Sequence, residues 1–141
     1  MPTPDPFNLQ RFVDAQAPVF ESVLAELRAG RKRTHWMWFI FPQIAGLGSS
    51  PMAQAYAISG RREAEAYLHQ PLLGGRLRQC TQLVNEVANR TIDEIFGYPD
   101  NLKFRSSVTL FASVAPAEDV FRAALDKYFA GQPDPATVAR L

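Results

Sequence analysis

Apolar positions recur at helical spacing along most of the chain. Val19, Phe20, Val23, Leu24 and Leu27 form one stripe. Gly30 stops it and places Arg28, Arg31 and Lys32 at the negative end of the helix dipole. Leu73, Leu77, Cys80, Val84 and Val87 predict a longer helix that starts after Pro71. Val120, Phe121, Ala124, Leu125, Tyr128 and Phe129 predict another, ended by Gly131 and Pro133. Pro18 breaks the first pattern, so a short segment from Pro6 to Gln16 precedes the helix centred on Leu24. Thr91-Ile92-Asp93-Glu94 has capping-box spacing and opens a short turn ending at Gly97. Ser50-Pro51 supplies an N-cap and a first-turn proline for a helix through Tyr56 to Ile58.

Two stretches fit either period. Trp36 to Phe41 is apolar on every side, whether read as helix or strand. Ser107 to Phe111 has strand propensity, yet Phe104, Val108, Phe111 and Ala115 form a helical stripe that Pro99 and Asp100 begin well. Both are read here as helices. The resulting expectation is an all-α fold. It is a single compact domain over residues 1–141 of about seven to nine short helices. Its core is built on Trp36, Trp38, Phe39, Phe41 and Phe111, and residues 1–6 form a flexible tail.

Composition agrees with one self-sufficient core: 141 residues, 47% hydrophobic and 21% charged. Net charge is +1, so nothing in the global balance draws the chain to nucleic acid or an anionic membrane. The run Arg28, Arg31, Lys32 and Arg33 is the local exception, and it reads as a solvated helix end. Arg61, Arg62, Glu63 and Glu65 read as an exposed helical face, and His69-Gln70-Pro71 as a junction between helices. No run approaches the ~20 apolar residues that span a bilayer. The lone Cys80 permits no intrachain disulfide, and the N-terminus lacks a signal-peptide pattern. The expected location is cytoplasmic. Two histidines and one cysteine, far apart in sequence, offer no metal-ligand spacing, so no metal or cofactor is expected. Cys80 sits on a stripe that should be buried, where a thiol is inert.

Candidate chemistry gathers at three places. His35, Trp38 and Gln43 edge the aromatic block, and on a helix His35 would share a face with Trp38, Phe39 and Pro42. His35 could serve as a base or a donor, or its ring could simply hold the segment in place. Gly48, Ser49 and Ser50 lead into a helix, where amides and hydroxyls can cradle an anion or merely cap the turn. Lys103, Arg105 and Ser106 could complete an anion site, or the serine could bond back to helix carbonyls.

Three blocks carry a resemblance. They are His35 to Gln43 with Gly46-Leu47-Gly48-Ser49, then Tyr56-Ala57-Ile58, and Lys103 to Phe111. Together they resemble a bacterial family known as domain of unknown function 1810, sometimes labelled calpastatin. The likeness runs from about Phe12 to Thr137 and implies a single all-helical domain. It implies no activity, cofactor or catalytic residue. Calpastatins are long disordered inhibitors, whereas this composition is that of a folded core.

The function expected from the residues is binding of a small anionic ligand, for which a nucleotide derivative would suit. In that reading Trp38 stacks on the ligand, while Ser49, Ser50 and nearby amides hold its anion. His35, Gln43 and one of Lys103 or Arg105 orient it. No catalytic residue is assigned, and whether chemistry accompanies binding stays open. The alternative is a protein–protein interaction module or a homo-oligomeric structural domain. No membrane or nucleic-acid partner is expected, and the residues do not set an oligomeric state.

Overall fold

The computed structural model describes residues 4–141. Among these described residues ten helices follow one another: α1 (Gln10–Gln16), α2 (Phe20–Arg28), α3 (Met37–Ile40), α4 (Pro51–Ala55) and α5 (Arg61–His69) form the first half. The second half is α6 (Leu73–Glu86), α7 (Ile92–Phe96), α8 (Asp100–Val114), α9 (Asp119–Phe129) and α10 (Pro135–Val138). The fold is therefore all-α, with slightly more helices than expected. The helix that no expectation covered is the four-residue α10. Apart from helices, the described residues hold one isolated parallel bridge, Ile44 to Ile58. The tail expected over residues 1–6 falls outside the described residues in its first three positions. Asp5, farther along, accepts from the amides of Leu9 and Gln10 and so leads the chain into α1.

Local signals set several boundaries. Thr91 and Glu94 close the reciprocal capping box, and the Ser50 hydroxyl accepts from the Ala53 amide to start α4. Gly30, at φ +72°, ends the α2 region. The helix expected through Tyr56 to Ile58 stops at Ala55, because Ile58 leaves to pair with Ile44. The Trp36–Phe41 block is helical for only four residues. Phe41 precedes Pro42, which disfavours helical dihedrals in the residue before it, and Phe41 sits at φ −122°, ψ 73°.

Helix α8 is the central strut and packs against α5, α7, α9 and α10. Phe104 of α8 meets Phe41 and Phe96, and Phe111 meets Tyr67 and Phe121. Trp36, Phe41, Phe104 and Phe111 are fully buried and Phe39 nearly so. Trp38 differs from the core expected of it: it packs against the core but is only half-buried.

Polar groups inside the domain are held by partners distant in sequence. Gln16 donates to the Phe39 carbonyl at 2.7 Å and to the Tyr67 hydroxyl at 3.0 Å. Glu63, read from the sequence as exposed, is 3% exposed. It pairs with Arg11 at 2.9 Å and accepts from the Ser59 amide. Arg11 has donors for five acceptors and also bonds the carbonyls of Phe7, Asn8, Ala55 and Ala57. That network welds the N-terminal segment to the start of α5.

Candidate functional site

The entry to α3 is set by one carboxylate. Glu26, on the inward face of α2, accepts from the Arg33 amide at 2.6 Å and the Thr34 amide at 2.9 Å. It also takes the Thr34 hydroxyl at 2.7 Å and the Trp36 indole N–H at 3.1 Å. Burial raises the pKa of this carboxyl. The four donated hydrogen bonds outweigh burial and leave it below the usual range. The indole of Trp36 is thereby fixed at its polar edge while its ring packs on Phe41 and Phe96.

Lys32, expected among solvated cations, is instead tucked in. Its side chain is 8% exposed, lies 2.9 Å from Asp100, and covers the Trp36 ring at 5.2 Å. Asp100 opens α8 and is shared. Its other oxygen lies 3.6 Å from the Lys103 ammonium, beyond hydrogen-bond length. Lys103 in turn sits over the Trp38 ring, 5.4 Å from its centroid. Two lysines therefore share one carboxylate, and the cluster keeps one positive charge in excess.

That charge faces a narrow cleft between α3, α4 and α8. Met37, Trp38, Phe41, Gln43, Ala53, Tyr56 and Lys103 line a volume of about 10 Å³, room for roughly one water molecule. Among the described residues, neither the Gln43 amide nor the Tyr56 hydroxyl has a hydrogen-bond partner, and no acidic side chain lines the cleft. A larger hollow of about 550 Å³ lies beside α7, α8 and α9. Two of its polar groups are already engaged: Lys127 bonds the Asn85 and Val87 carbonyls, and Asn101 donates to Asp93.

The structure brings Trp38, Gln43 and Lys103 together and sends the other candidates elsewhere. His35 lies ahead of α3, exposed, so the helical face it was expected to share does not exist. Ser50 is consumed as the α4 cap, and the Ser49 carbonyl takes the Gln54 amide. Gly48 does not line the cleft, and an added Cβ there would come 2.7 Å from the Ala53 Cβ. Arg105 points to the C-terminal segment and donates to the Gln132 and Pro133 carbonyls, both at 3.1 Å. Ser106 bonds back to the Leu102 carbonyl and to Asp134. Ser107, fully buried, has a hydroxyl without a partner among the described residues. Met37, Phe41, Ala53 and Tyr56 line the cleft without having been candidates; of these Tyr56 alone carries a polar group, and it opens one of the three resemblance blocks.

Elsewhere the chemistry is muted. Burial pushes the Cys80 thiol up to about 12 against the pull of the Arg76 charge, which keeps it protonated and unreactive. Among the described residues no group of histidine, cysteine or acidic side chains is arranged to hold a metal ion. No helix among them is long and apolar enough to cross a membrane.

The family model described as protein of unknown function DUF1810 matches residues 6–141. The chain belongs to that DUF1810 family. The conserved hypothetical protein Rv1873 from Mycobacterium tuberculosis, known from a crystal structure, is similar to this DUF1810 member at 61% identity. The match covers 97% of this chain and 98% of that one, with a TM-score of 0.96. No curated protein matches the chain.

Proposed function

We propose that this DUF1810 domain binds a small anionic ligand in the cleft between α3, α4 and α8. One observation carries the reading. Lys103, Gln43 and Tyr56, each with a polar side-chain group, line a single cleft with no acidic residue in its lining. A cation and neutral donors beside an aromatic face are the features that orient a bound oxyanion. The excess positive charge of the Lys32–Asp100–Lys103 cluster supports the same sign.

The cleft is far smaller than the ~300–1,000 Å³ of drug-sized sites. With room for about one water, it admits a single oxygen of an anionic head, a carboxylate or a phosphoryl group, and leaves the rest of the ligand outside along Trp38. A nucleotide, with a phosphate and a planar base, is one ligand of that shape. Binding is the whole of the proposal, and no reaction is assigned. The test is a thermal-shift titration with benzoate, inorganic phosphate and AMP. At least one should give a saturable rise that Lys103→Met abolishes, because a ligand specific for the native state raises stability. A rise that never saturates, or that the variant keeps, reflects salt exclusion and overturns the reading.

A second reading, an interaction module, is favoured by Tyr98 and Leu102, which are 82% and 48% exposed near the start of α8. Sedimentation of wild type against Tyr98→Ser and Leu102→Ser tests self-association through that face. A cytoplasmic setting suits either reading.

A further inference from the structure

The shared carboxylate points to a tuning device, one that rests on the anion-binding reading. Asp100 presents to Lys103 the same chemistry that the proposed ligand would bring. It is held back by Lys32, which takes one of its oxygens at 2.9 Å and leaves the other 3.6 Å from Lys103. We propose that Asp100 is an internal competitor for Lys103 and that Lys32, outside the cleft, sets the ligand affinity by restraining it.

Lys32 is suited to this. Its side chain is almost fully enclosed and lies over Trp36, whose indole is anchored on Glu26, so it has little freedom to release Asp100. Lys103 is looser, with its side chain 27% exposed and its contact to Asp100 longer than a hydrogen bond. Removing Lys32 frees Asp100 to turn fully to Lys103 and close it to other anions. Neutralising Asp100 leaves Lys103 without a competitor.

The experiment is a double-mutant cycle read by calorimetric titration with benzoate and with inorganic phosphate. Lys32→Met should weaken binding about fivefold and Asp100→Asn should strengthen it by a similar factor, the scale of one screened charge contact. Lys32→Met added to Asp100→Asn should change affinity no further, because Lys32 would act only through the carboxylate. If the double variant instead shows the product of the two single effects, Lys32 acts as an ordinary distant charge and the proposal is overturned. Asp100→Asn is an independent arm should Lys32→Met fail to fold. An affinity left unchanged or lowered by that variant also overturns it. Absence of saturable binding to wild type removes the anion-binding reading itself, whereas binding with an additive cycle removes only the competition.

Discussion

Lys103 lies over the face of Trp38, 5.4 Å from the ring centroid, while Arg105, two residues along the same helix, turns to the other side. A helix step of about 100° per residue separates positions i and i+2 by more than half a turn. The two cations that the sequence left as alternatives are thus divided by helix geometry. Lys103 belongs to the cleft, and Arg105 belongs to the C-terminal segment through the Gln132 and Pro133 carbonyls.

The two cations should therefore separate in experiment. Arg105→Gln is expected to keep any saturable anion response and to cost about 1 kcal/mol of stability, the net worth of a typical hydrogen bond. Urea melts of the variant with and without phosphate check both halves. Loss of the phosphate response in a folded Arg105→Gln protein would contradict this placement.

The tryptophans should differ in the same way. Trp36 is fully buried and hydrogen-bonded, whereas Trp38 is half-buried. Trp36→Ala is expected to cost about 3–5 kcal/mol and Trp38→Ala clearly less, as measured by urea denaturation. Phe39→Ala, at a buried position, belongs with Trp36. Equal costs for the two tryptophans would mean that the core is misplaced.

Glu26 makes stability depend on acid. Its folded pKa lies below its unfolded one, because four donated hydrogen bonds overcome burial. Its contribution is present in full above the unfolded value, about 4.3, and is lost as pH falls through the folded value. Glu26→Gln should lower stability near neutrality by about 2–3 kcal/mol, the scale of hydrogen bonds to a charged group. It should also flatten the decline seen on acidification. Thermal melts from pH 7 down to pH 3 check this, and an unchanged acid slope in the variant would contradict it.

These residues show where sequence reasoning succeeds and where it stops. Caps and breakers act within a few residues, so Thr91 with Glu94, Ser50 with Pro51, and Gly30 were legible directly. A continuous hydrophobic run does not show which of its rings is only half-buried, and here that ring is Trp38. Pro42 cuts the helix short after Ile40. Glu63, Glu26 and Lys32 carry charges that look solvent-facing in the sequence, because their partners lie elsewhere in the fold. Arg11 and Glu63 lie 52 positions apart, and no local pattern links them. At the cleft, the aromatic and Lys103 blocks were legible as candidates, but their meeting was a tertiary fact.

Two adjacent glycines of α6 offer a sharp check on packing. A Cβ at Gly74 would lie 2.0 Å from the Leu68 carbonyl oxygen, while one at Gly75 meets nothing within 4 Å. Gly75→Ala should stabilise by about 0.5–1 kcal/mol, the gain of alanine over glycine inside a helix. Gly74→Ala should destabilise by about 1–3 kcal/mol, because α5 and α6 must separate. Melts of both variants in one buffer decide it, and a stabilising Gly74→Ala would refute the close α5–α6 approach.

The most direct test of anion binding in the cleft uses the two indole N–H signals in a nitrogen–proton correlation spectrum. Trp36 is sealed against Glu26, and Trp38 lines the cleft beside Lys103. Titration with benzoate or phosphate should move the Trp38 signal along a saturating curve and leave the Trp36 signal nearly still, and in Lys103→Met neither signal should move. Two indole signals that drift together, without saturation and alike in the variant, would contradict binding at this cleft.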